Sequence, residues 1–168
     1  MLWRISNRAS KRALPLANRH YSRQKPGTPQ FVKPGRCIVL LTEDETALWV
    51  SSWPFPQFTK HAWPGAWECS VFRNEGLHLA SDLIRDAVAA TRFIWGELPA
   101  LPLGMVTFID PKEVRQKPRK DYGMCYQKAG WRLLEQKTEG GLFVLQALPN
   151  GLVEAEPPRN YQRHLIFS

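Results

Sequence analysis

Between residues 67 and 109 the spacing of apolar side chains changes character twice, and this limits the fold more than any other feature of the chain. Residues 67–73 (WECSVFR) read as a short strand. Alternation sets Trp67, Cys69 and Val71 on one face and Glu68, Ser70 and Phe72 on the other. Residues 81–95 then place Leu83, Ala87, Ala90 and Ile94 at steps of three and four, the pattern of an amphipathic helix. Ser81 suits the N-cap, Asp82 the positive end of the first turn, and Gly96 the stop. Residues 103–109 (LGMVTFI) return to a strand pattern. Two strands joined through a helix are expected to lie parallel and adjacent, because only a crossover brings the chain back in the same direction.

The flanking segments extend this unit. Residues 37–42 (CIVLLT) and 47–53 read as strands around the polar turn Glu43-Asp44-Glu45, a hairpin. Residues 54–66 form an aromatic, proline-bearing loop with Phe55, Phe58 and Trp63. Residues 124–129 read as a short helix stopped by Gly130, and 131–134 and 141–148 as two last strands. The expected class is α/β: a mixed sheet of about six strands with few helices packed on it. Residues 25–36 look like a linker, and the tail at 149–168 is too rich in proline and polar residues to assign.

The formal charge of +8 is unevenly spread over the 168 residues. Residues 1–24 hold Arg4, Arg8, Lys11, Arg12, Arg19 and Arg23 and no acid, so the body keeps only 17 basic against 15 acidic residues. Bulk charge therefore says little about a partner. The leader is Arg-rich, Ser-containing and amphipathic, with Leu2, Ile5, Ala9, Ala13 and Leu16 on one helical side, a composition that suits a mitochondrial transit peptide. Arg19-His20-Tyr21-Ser22 offers a matrix-peptidase-like cut after Tyr21, with the mitochondrial matrix as the expected location and the cytoplasm as the alternative; the plainer reading is a disordered basic arm. On either reading the leader is expected to stand outside the core. Three cysteines without a C-x-x-C, and four histidines without an H-x-x-x-H, give no support to a disulfide framework or a metal site. No run of 18 apolar residues exists to span a membrane.

Taken together, residues 67–131 resemble the core of the GNAT superfamily of N-acetyltransferases. The likeness covers roughly residues 37–148 and includes the ending Tyr126-Gln127-Lys128-Ala129-Gly130-Trp131. The resemblance implies an acyl-CoA, such as acetyl-CoA, bound along the strand before the main helix, where the parallel strands open into a V. Its pyrophosphate would lie on the following loop and helix N-terminus, whose N–H groups are unpaired. Carried onto this chain, the cofactor-binding positions are Val71, Arg73, Gly76, Ala80 and Ser81; His78 stands where the family loop has a second small residue. Tyr126 matches a family tyrosine that protonates the departing thiolate. Glu68 matches a carboxylate that takes a proton from the amine. The plainer readings are a packing tyrosine and an exposed edge-strand glutamate. Cys125 reads better as a small buried side chain than as a nucleophile, and Asp110 as an ordinary strand-ending turn. The aromatic loop would line an acceptor pocket or close the core.

The basic run Lys112, Arg115, Lys117, Arg119 and Lys120 would hold the CoA 3′-phosphate or a nucleic-acid backbone, or be a solvated surface loop. The leading expectation is an N-acyltransferase acting on an amine. The alternatives are a Mom-like enzyme that modifies a nucleic-acid base, as in outlying phage members of the superfamily, and a catalytically inactive binding protein on the same scaffold.

Overall fold

In a computed structural model, residues 1–20, 28, 29, 31–96, 101–112 and 123–161 are described. The strands are β1 (Trp3–Ile5), β2 (Arg36–Thr42), β3 (Ala47–Trp53), β4 (Trp67–Asn74), β5 (Met105–Ile109), β6 (Arg132–Leu133) and β7 (Phe143–Ala147). The helices are α1 (Leu14–Asn18), α2 (Ala80–Trp95) and α3 (Met124–Lys128). All seven strands join one mixed sheet in the order β1-β2-β3-β4-β5-β7-β6.

The α/β class and the crossover are as the apolar spacing requires. Strands β4 and β5 are parallel, paired through Trp67–Met105, Glu68–Val106 and Cys69–Thr107, and every other neighbouring pair is antiparallel. Helix α2 lays Leu83, Ile84, Ala87, Val88 and Ala90 against Ile38, Leu40, Trp49, Trp67 and Cys69 on one sheet face. Burying each of Leu83, Ile84 and Val88 contributes about 1.5–3 kcal/mol. Gly96 ends the helix at φ 70°, a conformation that favours glycine, with its N–H on the Arg92 carbonyl at 2.8 Å. Helix α3 joins the same face.

The other face is covered by a segment expected to lie outside the core. Ala13, Leu16 and Ala17, around α1, pack with Phe31 and Val32 on Val39, Leu41, Leu48, Val50 and Val71. Strand β1 pairs antiparallel with β2, and Trp3 is fully buried under α2, its indole N–H donating to the Leu83 carbonyl at 2.8 Å. Residues 1–20 therefore belong to the fold, which corrects the expectation of a detached leader and adds a strand, giving seven among the described residues against about six expected. The apolar stripe read as one helix is divided between a strand on one face and a short helix on the other. Pro15 lies in the first turn of α1, where a missing N–H costs no helical bond. The tail also runs along this edge: the Arg159 N–H donates to the Trp3 carbonyl, and the Asn160 side chain bonds both backbone groups of Ile5.

A β-bulge in β4 re-aims the central strand. Val50 faces Val71 and the next residue, Ser51, faces Cys69, so Ser70 is the extra residue. Its Oγ lies 2.9 Å from the Ser52 Oγ instead. The alternation expected along 67–73 is thus broken at Ser70: Trp67, Cys69 and Phe72 share the α2 face, while Val71 joins the opposite cluster.

Candidate active site

The parallel ladder ends at the Cys69–Thr107 rung, although β4 continues to Asn74 and β5 to Ile109. Beyond that rung Ser70–Asn74 have no ladder partner in β5, and functional side chains gather beside the parting on both faces.

On the α2 face, α3 delivers Tyr126. Gly123 precedes the helix in the left-handed region at φ 64°, where a Cβ would come 2.5 Å from Leu145 Cδ1. The Tyr126 ring packs on Trp131, Phe72 and Trp49. Its hydroxyl lies 3.4 Å from the Cys69 Sγ, and the Thr107 hydroxyl donates to the Cys69 carbonyl at 3.0 Å. Burial pushes the Cys69 thiol up to about 12 and the Tyr126 phenol well above its ordinary range, so both keep their protons at neutral pH. Cys125, expected to be buried, is half-buried at the edge of this cluster, and none of the three cysteines forms a disulfide.

On the opposite face stands Glu68. It is 4% exposed in a central strand, so the plainer reading of an exposed edge glutamate does not hold. Its Oε1 is hydrogen-bonded to the His61 Nε2. His61 comes from the aromatic loop and packs on Phe108 at 4.8 Å and Trp63 at 6.1 Å between ring centroids. The Trp63 backbone N–H donates to the His61 Nδ1 at 3.1 Å. In that loop Trp63 is buried, whereas Phe55 and Phe58 are exposed. Their sequence pattern does not separate the two kinds. Nor does any spacing motif bring out His61, which reaches Glu68 only because the loop folds back over the sheet. Cys69 and Thr107 go unsingled for a similar reason: their meeting depends on the register of two strands far apart in sequence.

The expected cofactor positions are spread along the end of β4 and the start of α2. Val71 is buried in the second cluster. Arg73 and Arg19 both donate to Glu75, with N–O distances of 2.7–2.8 Å, and hold its carboxylate pKa down to about 2. The Glu75 carboxylate is thus matched by two guanidiniums, one of them from residues 1–20. The Gly76 N–H donates to the Asn74 Oδ1 at 3.1 Å. Leu79, not Ser81, is the N-cap and makes no side-chain capping bond; Ser81 is buried one residue inside the helix that Ala80 opens. The Asp82 and Leu83 N–H groups both bond the Leu79 carbonyl. Asp110 accepts the Lys112 N–H at 2.8 Å, an Asx turn closing β5. Arg115, Lys117, Arg119 and Lys120 lie outside the described residues.

No family model, curated protein or solved structure matches this chain. Among the described residues, no group of three or more His, Cys, Asp or Glu side chains comes together as a metal site, and no helix is long and apolar enough to cross a membrane.

Proposed function

We propose that the protein is a GNAT-like N-acyltransferase that moves an acyl group from an acyl-CoA, such as acetyl-CoA, to an amine. The observation that carries the reading is the Tyr126 hydroxyl, buried and protonated against Cys69 at the last rung between β4 and β5. A strand pair that parts, followed by a loop and a long helix, suits a pantetheine-like chain between the strands and a pyrophosphate at the helix start. Along that path Arg73, Gly76, Ala80 and Ser81 are the proposed contacts for the phosphates, with Val71 beside the acyl arm.

In the reaction the amine nitrogen attacks the thioester carbonyl, a C–N bond forms and the C–S bond breaks. Glu68 takes the proton lost by nitrogen, and Tyr126 gives its proton to the departing sulfur. Both groups then re-equilibrate with solvent. A phenol that stays protonated at rest is a suitable acid for a thiolate that develops beside it in a dry site. The Mom-like alternative would rest on the basic run, of which only Lys112 is among the described residues, and on His78 in the place of a small residue in the phosphate loop.

Calorimetric titration of the full chain with acetyl-CoA tests the proposal. Saturable one-to-one binding that coenzyme A displaces is expected. A protein that binds neither compound would remove the acyltransferase reading and favour base modification or an inactive scaffold.

A further inference from the structure

We propose that His61 is a positioning residue that holds the Glu68 carboxylate, and that Glu68 Oε2, not the imidazole, takes the proton of the acceptor amine. The inference rests on the acyltransferase reading above, and adds to it a residue that neither sequence motif nor resemblance marks. It follows from the hydrogen-bond directions at the two ring nitrogens. A neutral imidazole has one N–H donor and one acceptor nitrogen. The Trp63 backbone N–H can only donate, so the Nδ1 it meets carries the lone pair. The proton therefore sits on Nε2 and is donated to Glu68 Oε1.

This wiring differs from a carboxylate–imidazole dyad in which the imidazole is the base. There the carboxylate orients one nitrogen and leaves the other open to the substrate. Here both nitrogens are occupied, one by backbone and one by carboxylate, so the ring has no lone pair left to offer. The carboxylate does: among the described residues nothing donates to Oε2. The ring is itself fixed against Phe108 and Trp63, and Phe108 lies on β5 past the last parallel rung. His61 thus ties the loop to the strand that carries Glu68, and sets which of its oxygens is left without a donor. The proton balance is unchanged: nitrogen loses one proton to Oε2 as the C–N bond forms, and the imidazole keeps its own.

Two measurements on the full-length protein test this. The first is a long-range proton–nitrogen NMR spectrum of the His61 ring near neutral pH. A proton on Nε2 and none on Nδ1 is expected; a proton on Nδ1 overturns the proposal. The second follows thiol release from acetyl-CoA with a panel of aliphatic, aromatic and peptide primary amines. Glu68→Gln is expected to lose about 10²–10⁴-fold in kcat, the usual cost of a lost base. His61→Ala should lose on the order of 10²-fold, because misplacing a reacting group by about 1 Å costs that much. His61→Gln, whose amide nitrogen can reach Oε1 but cannot act as a base, should run faster than His61→Ala at the same thermal stability. If His61→Gln is as slow as Glu68→Gln while acetyl-CoA binding holds, the imidazole is the base and the proposal fails. Full turnover by Glu68→Gln also overturns it. If the unaltered protein fails to bind acetyl-CoA, the acyltransferase reading falls instead, and the NMR result still decides the His61 geometry.

Discussion

At the scale of single residues, chemistry is concentrated where burial forces a choice of protonation state. Tyr126→Phe keeps the ring's packing on Trp131 and Phe72 and removes only the hydroxyl beside Cys69. Turnover is expected to fall about 10²–10⁴-fold, the usual effect of losing a general acid, with acetyl-CoA affinity held. Steady-state kinetics beside calorimetry checks this, and full turnover in the variant would take Tyr126 out of the mechanism. His20 supplies a pH effect of a different kind. Burial, with Arg73 nearby, lowers its pKa from 6.5 to about 4. The folded protein therefore resists protonating His20 while the unfolded chain does not. Stability from this group is present in full above pH 6.5 and is lost as pH falls from there to about 4, by up to roughly 3 kcal/mol. Urea unfolding of the native chain and of His20→Gln across that window should show a steeper acid-side loss in the native chain. Equal slopes would mean that His20 is not held neutral by the fold.

At the scale of elements, what was legible in the sequence is what local periodicity encodes. The run from 47 to 53 matches β3 without change, the helix starts one residue early, and the parallel neighbours are those the crossover demands. What stayed hidden depends on register and on distant partners. The bulge at Ser70 leaves no mark in composition, yet it moves Phe72 to the face opposite the one alternation gives it. Strand β1 is three residues long, too short to show a period, and its Trp3 finds its place only against α2. Trp3→Ala is expected to cost about 3–5 kcal/mol, as large-to-small changes in a core do. Removing residues 1–20 should lower the Tm far more than removing a disordered arm would. A cut after Tyr21, as matrix targeting would require, removes the same elements. Unchanged melting of the truncated chain would show that β1 and α1 do not dock. Gly104 is a second structural prediction. At φ 63° its missing Cβ leaves room for the Ala147 carbonyl oxygen, which an added Cβ would meet at 1.9 Å, backbone against atom. Gly104→Ala should therefore displace the start of β5 from β7 and reduce stability by more than the about 1 kcal/mol typical of a mutation. A melting curve that matches the native one would contradict that.

At the scale of the whole molecule, one sheet carries two chemical clusters back to back, and the parallel rungs of β4 and β5 lie between them. Tyr126 with Cys69 lies on the α2 face and Glu68 with His61 on the other, from adjacent residues of one strand. The parting of β4 and β5 is the place where a ligand between the strands would meet both. Residues 13–17 cover part of the opposite face, and Arg19 just after them bonds the loop where the proposed phosphates would lie. The location of the ligand is thus the central claim, and backbone hydrogen exchange with and without acetyl-CoA tests it most directly. The account predicts slowed exchange concentrated at residues 70–74 and 80–81, with β1 and β2 unchanged. Protection confined to other elements, or none at saturating acetyl-CoA, would contradict it.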